Sequence, residues 1–270
     1  MTDYASPPGG LPPQSAFVDT AAVFTDAYAV IPAAVMTDIV TSAFPGWKDT
    51  RGWVLARPLS GFAETFSQIA MEVGPGGGTA SGEPDACVQS VLFVTSGAVQ
   101  LGFGGTETEM GAGGYAYLPA GVEWSLRNRG FEAATFQWIR KRYEAVAGVE
   151  YPAPFVVNER DVAPIPMPDT DKWSTTRFVD TADMRHDMHV NIVNLAPGGI
   201  IPFAETHVME HGIYILEGTA SYLLNRDWID VGPGDFLWLR AFCPQACKAT
   251  GDAPFRYLLY KDVNRLPQMG

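Results

Sequence analysis

Basic residues are scarce in this sequence. Its 270 residues include 18 Lys and Arg against 30 Asp and Glu, which gives a formal net charge of −12. A nucleic-acid-binding protein needs a basic surface to neutralise phosphates, and an anionic membrane also attracts basic side chains. The composition therefore excludes nucleic acid and membrane surfaces as expected partners.

Cysteines and long apolar runs are also few. The three cysteines, Cys87, Cys243 and Cys247, have neither a CxxC pair nor the spacing of a disulfide framework. The first residues contain no basic segment followed by an apolar one, and the apolar residues 28–34 are too few to span a bilayer. The sequence predicts a cytoplasmic protein with reduced thiols.

Glycine and proline are abundant, with 28 and 21 residues, and they separate short runs rich in Val, Ile, Phe, Tyr and Trp. Such runs are typical of strands bounded by tight turns, and no stretch keeps a helical period for long. The chain is predicted to be all-β, a sandwich or a barrel.

An internal repeat divides the chain. Pro75 and Pro197 lie 122 residues apart in similar Gly-rich segments, and Gly113 and Gly234 lie 121 apart in a second pair. A proline-rich segment separates the copies, and proline does not donate to a central strand ladder. The predicted organisation is an N-terminal extension (residues 1–50), a first barrel (51–148), a linker (149–175) and a second barrel (176–270).

The second copy contains all four histidines. Glu205 and His207 are two residues apart, so a strand through both would place them on one face. His211 joins them only if the chain bends, because a straight strand would carry it about 13 Å beyond His207. His186 and His189 lie outside this spacing and are expected to be structural.

These spacings resemble the first cupin motif, in which Gly is followed by His-x-His, Glu and a final Gly. Here Gly199 and Gly218 frame Glu205, His207 and His211, with the ligand types permuted. The resemblance implies a bicupin, two tandem jelly-roll β-barrels in one chain.

The second cupin motif differs between the copies. In the second copy Gln245 replaces the usual His, and 240–242 read Arg-Ala-Phe instead of Pro-x-Gly. In the first copy Trp124 replaces that His, while Glu83, Asp85 and Ser90 occupy the first-motif ligand positions. The first barrel is expected to hold no metal, and one ion per chain is expected in the second.

Within the cupins, residues 187–265 resemble the (S)-ureidoglycine aminohydrolases, through the Glu-first ligand set, Gln245 and the final run 257–265. The resemblance implies Mn²⁺ as cofactor. The implied ligands are Glu205, His207, His211 and Gln245; the implied substrate contacts are Glu205, Tyr222, Tyr257 and Lys261; and Lys261 and Glu205 are the implied catalytic residues. A set of two imidazoles, one carboxylate and one amide is hard enough for Mn²⁺.

The implied activity is hydrolysis of (S)-ureidoglycine to (S)-ureidoglycolate and ammonia in purine degradation, with a ureido amino acid as the small-molecule partner. Two alternatives stay open: an iron-dependent bicupin dioxygenase, and a bicupin that binds a small molecule without turnover. A homo-oligomer is expected by analogy with other bicupins.

Overall fold

The computed structural model describes residues 13, 21–38, 42–262 and 265–266, and these are almost entirely β-structure. The first ten strands are β1 (Val23–Phe24), β2 (Tyr28–Ile31), β3 (Lys48–Ala56), β4 (Ser67–Thr79), β5 (Val88–Ser96), β6 (Ala98–Phe103), β7 (Thr106–Gly111), β8 (Gly114–Leu118), β9 (Trp124–Arg127) and β10 (Ala134–Arg142). The next ten are β11 (Phe155–Asn158), β12 (Ile165–Pro166), β13 (Trp173–Arg177), β14 (His189–Leu195), β15 (His211–Glu217), β16 (Ala220–Leu224), β17 (Asp227–Val231), β18 (Phe236–Leu239), β19 (Gln245–Ala249) and β20 (Phe255–Lys261). Two 3-10 turns, Ala33–Val35 and Glu159–Asp161, are the helical segments of these ranges. The prediction of an all-β chain is confirmed.

The first half forms one antiparallel sheet in the order β11-β8-β5-β10-β4-β9-β6-β7, with β3 paired to β4. Its inward side chains form an apolar cluster that includes Trp124, Phe136 and Trp138. Trp47 packs against all three of these rings, at centroid distances of 5.6 to 6.2 Å. Aromatic rings therefore fill the interior of the first barrel.

The second half combines two sheets. One has the order β1-β2-β18-β15-β20-β14-β13-β12, and the other has the order β17-β16-β19. Between them lies a second cluster, in which Ile213 and Ile215 of β15 meet Tyr222 of β16 and Tyr257 of β20. The strands β14, β15 and β20 direct alternate residues into this interior.

A third cluster joins the two halves. It includes Phe93 and Tyr117 from the first half and Val190, Trp238 and Tyr260 from the second. The contact between the barrels is therefore a hydrophobic core. Burial of apolar surface is the dominant favourable contribution to such packing.

The chain segments outside the barrels add edge strands. β2 pairs with β18, so residues of the predicted N-terminal extension belong to the sheet of the second half. The proline-rich segment holds β11 at the edge of the first-half sheet and β12 at the edge of the second-half sheet. Residues 1–12, 14–20 and 39–41 of the predicted extension lie outside the described residues.

Candidate metal centre and substrate pocket

The backbone places Glu205 beside Gln245. The loop before β15 approaches the start of β19, where the N–H of each residue donates to the carbonyl of the other, at 2.8 and 3.0 Å. The expected strand through Glu205 and His207 is absent from this loop, because only Glu205 forms a bridge there. The short antiparallel bridge is enough to bring a carboxylate and an amide to one side of the barrel interior.

The two imidazoles meet through the bend that the spacing required. Nε2 of His207 lies 3.2 Å from Nε2 of His211, and the ring planes are nearly perpendicular. Nδ1 of His211 faces the carbonyl oxygen of Tyr260 at 3.2 Å. A proton on Nδ1 donates to that carbonyl and leaves the lone pair of Nε2 directed into the pocket, which is the usual arrangement of a metal-binding histidine.

Burial keeps both rings neutral. It lowers the pKa of His207, and it lowers the pKa of His211 to about 3, with a further contribution from the neighbouring His207. Neutral imidazole is the form that binds a metal ion. The site thus offers two unprotonated nitrogen atoms at neutral pH.

Gln245 completes the group. Its Nε2 lies 3.4 Å from Nε2 of His207, and its Oε1 accepts a hydrogen bond of 3.2 Å from the Tyr222 hydroxyl. A half-turn of the carboxamide exchanges oxygen and nitrogen without changing its shape. That turn directs the amide oxygen toward the imidazoles, where it serves as a hard ligand.

The arrangement fits one metal ion. Adjacent ligands of an octahedral ion at about 2.1 Å lie roughly 3 Å apart, close to the 3.2 and 3.4 Å separations around His207. The Glu205 carboxylate is farther away, with Oε1 3.9 Å from Nε2 of His207. Within residues 21–38, 42–262 and 265–266, no three His, Cys, Asp or Glu side chains already form a metal cluster. Binding therefore requires Glu205, whose side chain is 40% exposed, to rotate inward.

Two buried tyrosines lie next to Gln245. The rings of Tyr222 and Tyr257 meet edge to face, with centroids 6.0 Å apart. Burial raises the pKa of both phenols well above the ordinary value, so each keeps its proton and remains a hydrogen-bond donor.

Lys261 stands beside the histidines. It ends β20 in register with His211 of β15 on one side and His189 of β14 on the other. Burial lowers the pKa of its ammonium, the Arg177 charge lowers it further, and the Glu205 carboxylate opposes both. The structure thus brings the implied metal ligands and substrate contacts together at one end of the second-barrel interior. Beside them lie His189, which the spacing had left out as a structural residue, and Arg177, which the sequence did not single out.

The corresponding positions of the first barrel are used differently. Arg140 holds the Glu83 carboxylate through two hydrogen bonds of 2.6 Å. Ser90 accepts a hydrogen bond from the Trp138 indole, and the Trp124 ring packs directly on Gly82. Ion pairs and indole rings occupy this interior.

A loop of the first half reaches the second-half site. The Glu210 carboxylate is buried and accepts hydrogen bonds from the backbone N–H groups of Glu64 and Thr65, the Thr65 hydroxyl and the Trp238 indole. The backbone N–H of Glu210 donates to Asp262. Glu210 directly precedes His211, and Asp262 directly follows Lys261. The sequence did not reveal this contact, because nothing local to Glu210 indicates a partner 145 residues away.

Comparison with known proteins places both halves in one superfamily. A model of the cupin domain matches residues 191–260, and a model of the EutQ-like cupin domain matches residues 60–143. The fold and these matches define a protein with two cupin domains, as the motif spacing predicted.

Similar proteins identify a family within the proteins that have two cupin domains. The chain is 32% identical to a probable (S)-ureidoglycine aminohydrolase of Oryza sativa subsp. japonica, over 84% of this chain and 71% of the relative. It is 30% identical to the (S)-ureidoglycine aminohydrolase of Escherichia coli (strain K12), over 84% and 86%. The crystal structure of a putative glyoxylate induced protein from Pseudomonas aeruginosa superposes with a TM-score of 0.89 at 56% identity, over 100% of this chain and 99% of the other. The chain belongs to the (S)-ureidoglycine aminohydrolase family.

None of the described residues forms a helix that is long and apolar enough to cross a membrane.

Proposed function

We propose that this protein hydrolyses (S)-ureidoglycine to (S)-ureidoglycolate and ammonia as a step of purine degradation, with Mn²⁺ as its cofactor. The observation that carries the proposal is the convergence of Glu205, His207, His211 and Gln245 with Tyr222, Tyr257 and Lys261 at one end of the second-barrel interior. The family membership of the chain supports the same reaction.

The reaction replaces an amine by a hydroxyl group. The bond between Cα and the amine nitrogen breaks, a bond between Cα and a water oxygen forms, and the leaving nitrogen takes a proton and departs as ammonia. The carboxylate and the ureido group are retained. The residues of the pocket must therefore bind three different substituents on one carbon and move protons at two of its bonds.

The metal ligands would be Glu205, His207, His211 and Gln245. A bound Mn²⁺ supplies a Lewis acid that orients a chelating α-amino acid and stabilises developing negative charge. The two neutral imidazoles and the buried amide suit this role, since none of them needs to lose a proton before binding.

Lys261 is the proposed proton carrier. Its lowered pKa gives Nζ a larger unprotonated fraction near neutral pH than a solvated lysine has. The amine takes a proton from the attacking water, and the resulting ammonium donates one to the departing nitrogen. Tyr222 and Tyr257 keep their phenol protons and orient the substrate as hydrogen-bond donors.

Ammonia release from freshly prepared (S)-ureidoglycine, with and without added Mn²⁺, tests the proposal. We expect release that depends on the ion and a product of the S configuration. Oxygen uptake in the same assay would indicate an iron dioxygenase, and a metal-loaded protein without turnover would indicate a binding protein.

The proposed site predicts one metal ion per chain. In the first barrel an ion pair and indole rings occupy the ligand positions, so only the second barrel is expected to bind Mn²⁺. Elemental analysis after reconstitution and dialysis checks the ratio. Two ions per chain would contradict the assignment of the first barrel.

A further inference from the structure

The inner face of β14 carries polar residues close to the proposed centre. Asn191 stands two residues from His189, so both side chains point to the same side of the sheet. Val193 continues that face and lies in the apolar cluster inside the second barrel. Asn191 is therefore directed into the barrel, one register row deeper than His189 and Lys261.

Asn191 carries an unused acceptor. The side chain is only 2% exposed, and its Oδ1 has no hydrogen-bond partner among the residues that the structure describes. A buried amide oxygen without a partner destabilises a fold, so such groups are rare in native proteins. An acceptor in this position suits a ligand that brings its own N–H group.

Arg177 lies directly opposite Asn191, at the end of β13. It shares a strand face with Trp173, which packs against the cluster inside the second barrel. Across the described part of the chain, no carboxylate forms an ion pair with Arg177. Burial is the main cause of the lowered pKa of Lys261 and of His189, and the Arg177 charge adds to both, which agrees with a guanidinium close to these two residues.

We propose that Arg177 and Asn191 bind the ureido group of the substrate: the guanidinium donates to the ureido carbonyl, and Asn191 Oδ1 accepts a hydrogen bond from the terminal NH₂. This inference rests on the proposed function. The pairing suits a urea, which presents one acceptor and one donor side by side. A carboxylate does not match it, because a carboxylate oxygen has no proton to give to Asn191.

Two acyl glycines separate the roles of these residues. N-carbamoylglycine and N-acetylglycine share the carboxylate and the carbonyl, and they differ only in a terminal NH₂ or CH₃ group. Calorimetric titration of the purified protein, with its metal content measured, should show at least about ten-fold tighter binding of the carbamoyl compound. Asn191→Leu should abolish this preference. Arg177→Met should weaken the binding of both compounds by a similar factor.

Thermal unfolding distinguishes recognition from a structural role. Asn191→Leu removes a buried acceptor that has no partner and keeps the side-chain volume, so its Tm should equal or exceed that of the wild type. Asn194→Leu is the matched control on the opposite face of β14. Asn194 bonds to Thr176 and Arg256, so this variant should have a lower Tm and an unchanged preference for N-carbamoylglycine.

The outcomes separate the inference from the proposed function. A wild-type protein that does not prefer N-carbamoylglycine, or an Asn191→Leu variant that keeps the preference, overturns the inference even if ammonia is released from ureidoglycine. A preference that depends on Asn191 in a protein that releases no ammonia supports the binding site and overturns the proposed reaction.

Discussion

Single side chains decide how tightly the proposed centre holds its ion. His207 is the ligand in contact with two others, since its Nε2 lies 3.2 Å from His211 and 3.4 Å from Gln245. A neutral amide oxygen is a weaker donor than imidazole, and water replaces it readily. The four ligands are therefore unequal.

Replacing ligands one at a time tests this order. We expect Gln245→Ala to retain more Mn²⁺ after dialysis than His207→Ala, because the second change removes the central imidazole. Circular dichroism should show that both variants keep the β-structure. Equal losses of metal would mean that the amide is as important a ligand as the imidazole.

Lys261→Met is expected to abolish turnover and leave Mn²⁺ bound. Methionine keeps the length and the apolar stem, and it removes the ionisable group. A role in proton transfer predicts a fall in kcat of roughly 10²-fold or more. A raised KM with kcat intact would instead assign Lys261 to substrate binding, and unchanged kinetics would remove it from the site.

For individual side chains, the sequence was informative where the residues belong to one short motif. The spacing from Glu205 to His211 predicted the bend that the structure contains. Nothing in the sequence indicated Arg177 and Asn191, because their position depends on how β13, β14 and β20 pair, and no spacing within the chain encodes that register.

Among the elements, the loop at residues 64–65 is the link between the halves. Four donors from this loop and Trp238 converge on the Glu210 carboxylate, which is 5% exposed. Thr65 also contacts the Tyr260 hydroxyl at 3.0 Å, and the Phe66 ring stacks on that tyrosine. Since the Tyr260 carbonyl faces His211, the first barrel supports the site of the second.

Glu210→Ala is therefore expected to be strongly destabilising. It leaves buried donors without partners, and a loss of about 3 kcal/mol or more in the free energy of unfolding follows. Urea titration of the purified variants measures the loss. Glu123→Ala, at an exposed position of the first half, should change stability by less than about 0.5 kcal/mol. A small effect at Glu210 would contradict its role as a link.

The strand pattern was predicted better than the loops around it. Alternating apolar runs indicated the strands, but Glu205 and His207 lie in an irregular loop whose path is set by the bridge to Gln245 and by the Phe242 N–H bonded to the His207 carbonyl. Both contacts join residues more than 30 positions apart. Local pattern carries no information about them.

The stability of the whole molecule should depend on pH through His186. This ring is 5% exposed and packs edge to face on Tyr117. Burial lowers its pKa, and the nearby Asp183 carboxylate only partly opposes this. As pH falls below about 6.5, His186 becomes protonated in the unfolded chain but stays neutral in the folded one. The free energy of unfolding therefore decreases.

The wild type should lose up to about 1.4 kcal/mol per pH unit more than His186→Phe as pH falls from 6.5 to 5. Asp183 stays ionised over this range, because Arg185 lowers its pKa to about 2. Chemical denaturation of both proteins at several pH values gives the two slopes. Parallel slopes would show that His186 takes up its proton in the folded protein as well.

The pairing of β2 with β18 sets an order for folding during synthesis of the chain. Leu239 pairs with Tyr28, and Phe236 pairs with Ile31, so a strand made early waits for one made about 200 residues later. At roughly 5–20 residues per second, a ribosome needs on the order of 10–40 s to cover that distance. During this time Tyr28 and Val30 have no core to enter, although the whole first barrel has already been translated. The earliest described strands thus find their partner only late in synthesis, and a nascent-chain reporter on Tyr28 would remain solvent-exposed until the final quarter of synthesis.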